Sequence, residues 1–173
     1  MTVSAITVNQ YYTAIFRNAP STSVSASYQA MVNNDEALQS MLSTATSAVD
    51  PVIRLYQTAF NRLPDTNGMT AWVTPFSNKL ISLEYIANGF TKSTEFTALY
   101  PSSLSNREYV AALYFNILQR PGEDGGINGW TNALNSGALT RAQVLLGFSE
   151  SSEFINNVST RIDGFLTNIA NTP

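Results

Sequence analysis

The sequence predicts an all-α protein, a compact multi-helix array built from two tandem helical repeats after an N-terminal helical segment. Three observations predict this class. Apolar residues recur at helical spacing, no stretch shows sustained two-residue alternation, and Pro- and Gly-containing breaks separate segments that begin with Ser, Thr or Asp. We expect one continuous packed body with three parts: the N-terminal segment 1–50, the first repeat 51–104, and the second repeat with a C-terminal helix 105–173.

The N-terminal segment predicts short helices at about residues 7–18, 22–32 and 35–46. Breaks fall at 18–21 and 33–35, where Asn, Pro, Ser and Asp cluster. The segment could itself be a degenerate third copy of the repeat that follows it.

The repeat is visible as an ungapped alignment of residues 55–96 with residues 113–154, at a shift of 58 residues and with ten identities. The identical pairs are Leu55/Leu113, Tyr56/Tyr114, Arg62/Arg120, Gly68/Gly126, Trp72/Trp130, Gly89/Gly147, Phe90/Phe148, Ser93/Ser151, Glu95/Glu153 and Phe96/Phe154. Each copy predicts a first helix, a break at LPDTNG or PGEDGG, a helix that carries the tryptophan, and two further helix starts.

The predicted helix starts rest on capping residues. Asp50 precedes Pro51 as an N-cap precedes an N1 proline, and Ser105 caps the corresponding helix of the second copy. Ser82 and Thr140 cap the third helix of each copy, and Ser93 and Ser151 the fourth. We also expect Arg62 and Arg120 to cap helix C-terminal carbonyls, and Glu95 and Glu153 to favour a helix start.

Composition excludes several classes of partner. Only 12% of residues are charged, the net charge is −3, and Lys79 and Lys92 are the two lysines. Nucleic acids need a basic stripe that displaces counterions, so we expect no nucleic-acid partner. No window approaches 18 apolar residues, and we expect no membrane insertion. Polarity comes instead from 19 Ser, 18 Thr and 17 Asn, a neutral surface that suits the cell exterior and contact with sugars.

The chain contains no Cys and no His. This removes disulfides, imidazole and thiolate metal sites, nucleophilic catalysis by Cys or His, and the usual proton shuttle. The 12 acidic residues permit a carboxylate pair without indicating one, and no nucleophile, metalloprotease or nucleotide-binding motif is present. We assign no catalytic residue and expect a protein that is not an enzyme.

Candidate ligand-binding residues are neutral and aromatic. An indole face matches the C–H patches of a pyranose, so the two tryptophans are candidates for sugar stacking, although their recurrence at one repeat position favours a role in the core. The full set of candidates is Tyr28, Asn33, Asn34, Asn67, Trp72, Asn128, Trp130 and Asn132.

Hard cations need oxygen ligands in glycine-containing turns, and the repeat breaks supply some. The candidates for a metal are Asp65, Asn67, Glu123, Asp124 and Asn128. Neither break completes a twelve-residue calcium loop, and ordinary Asx-turn chemistry explains the same residues. We therefore expect no obligatory cofactor, with calcium as the ion that these turns could hold.

The segments LYQTAFNRLPDTNGMTAW and LYFNILQRPGEDGGINGW, with GALTRAQVLLGFSESSEF, resemble a bacterial helical repeat of unknown function common in RTX-type proteins exported by type I secretion. The second copy departs from it where Gly122 and Glu123 replace the Pro–Asp pair. Residues 1–100 also resemble the N-terminal region of Caulobacter-type S-layer proteins, whose helical domain anchors the protein to lipopolysaccharide O-antigen. The start of the chain lacks the features of an N-terminal signal peptide, which fits a C-terminal export signal.

These observations lead to one expected function and two alternatives. We expect a secreted, cell-surface anchoring module of S-layer or RTX type that binds lipopolysaccharide O-antigen or another surface polysaccharide, and that self-associates because single sugar contacts are weak. The first alternative is a protein–protein assembly module, since the signature is also similar to that of phycobilisome linker domains. An enzyme, the second alternative, would need two carboxylates converging in one cleft.

Overall fold

The computed structural model describes residues 3–172, which form eleven α-helices and no strand. The prediction of an all-α protein is therefore confirmed. The helices are α1 (Ala5–Phe16), α2 (Thr22–Gln29), α3 (Asn34–Ala48), α4 (Asp50–Phe60), α5 (Thr66–Ser77), α6 (Leu83–Thr91), α7 (Thr94–Leu99), α8 (Asn106–Leu118), α9 (Asp124–Asn135), α10 (Arg141–Ser149) and α11 (Ser152–Asn171).

Side-chain caps determine where most helices begin. In each of them an oxygen of the N-cap side chain accepts a hydrogen bond from the backbone N–H three residues later. That N–H has no acceptor within the helix itself. These caps are Ser4, Ser21, Asn33, Asp65, Ser82, Ser93, Ser105 and Thr140. Ser151 makes the same bond at the start of α11. The caps predicted at Ser82, Ser93, Ser105, Thr140 and Ser151 are thus confirmed.

The helix after each break begins earlier than predicted. Asp65 accepts a hydrogen bond from Gly68 N at 2.7 Å and caps α5, so Asn67 and Gly68 belong to the first turn of a helix rather than to a loop. In the second copy α9 already begins at Asp124. The prediction that the breaks extend to Gly68 and Gly126 is wrong, because the acidic residue within the break acts as a helix start.

The described chain divides into two compact units. The first combines the described residues of 1–51, 65–80 and 159–173, and therefore holds α1, α2, α3, α5 and the later part of α11. In this unit α1 packs against α2, α3 and α5. Tyr12 stacks on Phe16 at a centroid distance of 4.3 Å, and Gln10 donates a hydrogen bond to Ala170 O at 3.2 Å. The end of α11 is thereby bonded to α1.

The second unit comprises residues 52–64 and 81–158. It contains most of α4, then α6 to α10 and the start of α11. Helices α6 and α10 occupy equivalent positions in the two repeats and pack against each other, with Gln143 Nε2 donating to Glu84 Oε1 at 2.9 Å. Helix α8 packs against α9 and α10. The buried Arg54 on α4 pairs with Glu150, which ends α10.

Candidate functional site

The first candidate site is a groove of about 700 Å³ in the first unit, between α1 and α2. Its lining residues are Val3, Ala5, Asn9, Pro20, Thr22, Ser25, Ala26, Gln29 and Ala30, and we call it the α1–α2 groove. The chain reverses between the two helices because Arg17 ends α1 in the left-handed conformation, at φ 61°, and Ser21 then caps α2. Ligand pockets in proteins commonly enclose about 300–1,000 Å³, so the groove is of ligand size.

The groove is lined entirely by neutral side chains. Ala26 lies on α2 and Ala30 is the C-cap of that helix, and their methyl groups leave the space between the helices open. Gln29 Nε2 donates to Ser25 Oγ at 2.7 Å, so the Gln29 carbonyl oxygen remains an acceptor. Within residues 3–172, no protein group bonds to the side-chain amide of Asn9. The groove therefore presents uncharged hydrogen-bonding groups beside small apolar surfaces.

The second candidate site is an open slot of about 120 Å³ in the second unit, at the second repeat. It is lined by Tyr114, Leu118, Arg120, Trp130, Gly147, Phe148, Ser151 and Glu153, and we call it the Trp130 slot. Seven of these eight residues are among the ten positions at which the two repeats are identical, and Leu118 is the exception. The slot is therefore built on the repeat signature.

Aromatic rings form the walls of the Trp130 slot. Phe148 meets Tyr114 edge-on, with ring centroids 4.8 Å apart, and lies 5.9 Å from Trp130. Trp130 lies over Gly147, where an added Cβ would come within 2.8 Å of the indole ring. A Cβ at Gly126 would likewise overlap the hydroxyl of Tyr114. The two glycines let these rings approach the helix backbones, and glycine also occupies the equivalent positions 68 and 89 of the first repeat.

A cluster of three charged residues adjoins the slot, and two of them, Arg120 and Glu153, line it. Arg120 donates to both carboxylate oxygens of Glu153 at 2.7 Å and to Glu123 Oε1 at 2.7 Å. Its guanidinium carbon also lies 5.3 Å from the centre of the Tyr114 ring. The expectation that Arg120 chiefly caps helix carbonyls is wrong, since its one carbonyl contact is to Pro121 at 3.2 Å and lies outside a helix.

Hydrogen bonds in this cluster favour its charged forms. The hydrogen bonds from Arg120 lower the pKa of Glu153 below its ordinary value. The pKa of Glu123 is lowered first by its own backbone N–H and then by Arg120. The same carboxylates raise the pKa of Arg120. All three groups are charged at neutral pH, and the guanidinium is already engaged by its neighbours.

The first repeat has an equivalent ion pair, between Arg62 and Glu95, and both residues lie in the second unit. Arg62 Nε and Nη2 donate to the two oxygens of Glu95 at 2.7 and 3.0 Å, and the guanidinium carbon lies 5.4 Å from the ring centre of Tyr56. Its carbonyl contact is again to a residue outside a helix, Leu63. Phe60 lies 4.7 Å from Phe90, ring centre to ring centre, at the position where the second repeat has Leu118.

The structure places the predicted ligand-binding residues at scattered positions. Tyr28 is 7% exposed, lies 6.2 Å from Tyr12 and pairs with the Thr44 hydroxyl at 3.4 Å. It is part of the core of the first unit and presents no open ring face, contrary to our expectation. Asn33 is occupied as the N-cap of α3, where it accepts from Glu36 N at 2.9 Å.

Exposed asparagines occur in both units. Asn34 and Asn67 are exposed near the starts of α3 and α5, and Asn132 is exposed on α9. Asn128, also on α9, accepts a hydrogen bond from Arg107 at 2.6 Å. None of the four lines either candidate site.

Both tryptophans are half-buried. Trp72 lies half-buried on α5 of the first unit, and Trp130 lies half-buried in the slot of the second. Trp130 is the one predicted ligand-binding residue that lines a candidate site among the described residues.

The predicted metal ligands have other roles. Asp65 caps α5, Glu123 pairs with Arg120, and Asp124 lies 3.9 Å from the Arg107 guanidinium. Asn67 and Asn128 lie within helices α5 and α9. Within residues 3–172, no group of three or more acidic side chains is placed to hold a metal ion. A calcium site at these residues stays a prediction.

Sequence reasoning missed both the α1–α2 groove and the Arg–Glu pairs. A signal for the groove lies in the spacing of Thr22, Ala26 and Ala30, small residues that line one face of α2 at intervals of four. None of the helices within residues 3–172 combines the length and the apolar character that a membrane span requires.

Comparison with known families gives one result. The model of a domain of unknown function, DUF4214, matches residues 28–100 and again residues 87–158, which together cover more than half of the chain. The second match starts 59 residues after the first, close to the repeat shift of 58 residues found in the sequence. The prediction of two tandem copies of a helical domain of unknown function is thereby confirmed. Neither the curated proteins nor the solved structures contain a match.

Proposed function

The chain belongs to the DUF4214 family of domains of unknown function, and we propose that it is a non-catalytic module that binds a neutral surface polysaccharide. One observation carries the proposal: the α1–α2 groove is of ligand size and is lined by neutral side chains throughout. A polysaccharide without charged groups offers hydroxyls and C–H faces, which match amide and hydroxyl groups beside alanine methyls. A phosphate or carboxylate ligand would find no cationic side chain in the lining.

The groove chemistry indicates how a sugar would bind. The side-chain amide of Asn9 donates and accepts, while the Gln29 carbonyl oxygen accepts from a sugar hydroxyl. Ala26 and Ala30 contact the apolar face of the ring. Each of these contacts is weak, so useful attachment to a cell surface needs several modules bound at once.

The finer identity that we propose is a cell-surface anchor of S-layer or RTX type whose ligand is lipopolysaccharide O-antigen. Its support is the resemblance of residues 1–100 to the Caulobacter-type S-layer N-terminal region, together with the neutral groove inside that stretch. Export by a type I route, to the outer surface of the cell, belongs to the same proposal.

The test compares retention of the purified chain on smooth cells and on cells that lack O-antigen. We expect the wild type to be retained on smooth cells alone. Ala26→Phe, which places a ring in the groove, should reduce retention at least about tenfold, since it removes several contacts. Ser27→Phe adds the same ring to an exposed neighbouring position that does not line the groove, and should leave retention unchanged.

Two outcomes would contradict the proposal. Equal retention on both kinds of cell would exclude O-antigen as the ligand. Equal loss in the Ala26 and Ser27 variants would exclude the groove as the binding site. Far-UV circular dichroism of each variant verifies that the helices are intact.

An assembly module is the second candidate function, and one observation favours it. Phe115 on α8 is 67% exposed, whereas Phe148 on α10 of the same repeat is buried.

A further inference from the structure

Helix α8 carries an exposed aromatic side chain that its counterpart helix lacks. Every residue of α4 from Pro51 to Phe60 is buried, including Gln57. The position equivalent to Gln57 in the second repeat is Phe115, which is 67% exposed. A single exposed phenyl ring is ordinary on a protein surface, and it gains significance here from a second difference between the repeats.

The second difference is the Trp130 slot itself. In the first repeat Phe60 lies against Phe90, whereas the equivalent residue in the second repeat is the smaller Leu118, which lines the slot. The second repeat therefore lacks the aromatic ring that the first has at Phe60. It has gained an exposed ring three residues earlier, at Phe115. The second repeat thus has both an unfilled aromatic slot and a ring outside it.

The dimensions of the slot suit a phenyl ring. An apolar cavity of about 150 Å³ can hold benzene, and the slot has about 120 Å³ and is open to solvent. Its walls are the rings of Tyr114, Trp130 and Phe148, which favour edge-to-face contacts with a further aromatic ring. The charged residues of its lining, Arg120 and Glu153, are already hydrogen-bonded to each other.

We propose that two copies of this chain associate by inserting Phe115 of each copy into the Trp130 slot of the other. Tyr114 lines the slot and Phe115 follows it in the chain, so ring and slot lie about 100° apart around the same turn of α8. Because ring and slot are so close together, a two-fold axis beside them can bring each copy's ring to the other copy's slot, as an isologous dimer requires. The proposal is independent of polysaccharide binding by the first unit.

Sedimentation velocity over a concentration series tests the association. We expect the wild type to show a monomer–dimer equilibrium. Phe115→Ala removes the ring and Leu118→Phe fills the slot, and each should weaken dimerisation at least about tenfold. The control is Tyr85→Ala, which removes a different aromatic side chain of the second unit, 61% exposed, and should leave the equilibrium unchanged.

Mixing the two variants gives the decisive measurement. The Phe115→Ala chain keeps an open slot, and the Leu118→Phe chain keeps the Phe115 ring, so a mixture restores one of the two contacts. We expect more dimer in the mixture than in either variant alone, measured with one chain carrying a fluorescent label. Phe115 is exposed, so its alanine variant retains the fold and keeps the test valid even if Leu118→Phe does not fold.

Three results would overturn the proposal. The first is a wild type that remains monomeric up to concentrations on the order of 1 mM. The second is a Phe115→Ala chain that dimerises as the wild type does. The third is a mixture with no more dimer than its components, because association would then not depend on a ring entering a slot.

Discussion

Replacing Glu150 with alanine should destabilise this protein far more than the same change at Glu153, three residues away. Both glutamates accept two hydrogen bonds from one arginine: Arg54 at 2.5 and 3.0 Å, and Arg120 at 2.7 Å for both. The pairs differ in burial. The Arg54 side chain is 7% exposed, whereas that of Arg120 is 32% exposed.

Burial determines the expected size of the loss. Removing one partner of a buried ion pair leaves an uncompensated charge and costs about 3–5 kcal/mol of the free energy of unfolding. Glu150 is 34% exposed, which lets water reach the guanidinium once the carboxylate is gone, so we expect about 3 kcal/mol. For a chain of this length that lowers the melting temperature by about 6–12 °C. Glu153→Ala should have a much smaller effect, because water already solvates the Arg120 pair.

Urea denaturation followed by circular dichroism measures both variants. The double variant Arg54→Met with Glu150→Ala tests the cause, since an apolar side chain at position 54 needs no counter-charge and should recover most of the loss. Equal losses for Glu150→Ala and Glu153→Ala would refute the reasoning. So would a double variant as unstable as Glu150→Ala alone.

Two further predictions concern buried polar groups. Gln57 is 8% exposed and neither of its side-chain amide atoms has a hydrogen-bond partner within residues 3–172, so Gln57→Met should raise the free energy of unfolding by about 1–3 kcal/mol. In urea titrations the exposed Gln39→Met serves as its control, and no gain over that control would contradict the argument. Burial raises the pKa of Tyr109 above its ordinary value of about 10, so the stability it contributes is complete below pH 10 and falls as pH rises further. Urea titrations from pH 7 to pH 11 should show a steeper alkaline decline for the wild type than for Tyr109→Phe, and equal slopes would contradict the assignment.

The helix starts could be predicted because their causes are local. Ser105 and Glu108 satisfy each other within one turn as a capping box, and Ser82 needs only the N–H of Tyr85. Such bonds depend on three or four consecutive residues, which a single sequence displays. The earlier start of α5 is also local, since Asp65 caps the helix through the N–H of Gly68, three residues later.

The Arg–Glu pairs could not be predicted from local pattern, because 33 residues separate the partners in each repeat. A signal was nevertheless present. Arg62 with Glu95 and Arg120 with Glu153 are identities that recur at the same separation in both copies. Two opposite charges that keep their spacing in a duplicated unit are candidates for one ion pair.

The burial of Tyr28 follows from the sequence of helix α2. Helix α2 is rich in Ser, so its one aromatic residue is the side chain with most to gain from burial, and it packs toward Tyr12. A ligand contact through Tyr28 would need an exposed ring, but α2 has few other large apolar side chains with which to pack against its neighbours. The sugar-binding prediction therefore chose the residue in that helix least able to remain on the surface.

The abundance of Ser, Thr and Asn overstates how much of the surface can bind a sugar. Many of these side chains are occupied locally: Ser21 and Asn33 cap helices, and Thr44, Thr58 and Thr70 donate to the carbonyl four residues earlier. A side chain used in this way has less capacity left for a ligand. Binding should consequently depend on the few neutral groups without a local partner that line a cavity, and on the small residues that keep that cavity open. Substitutions that close the α1–α2 groove are for this reason a sharper test than removal of exposed asparagines elsewhere.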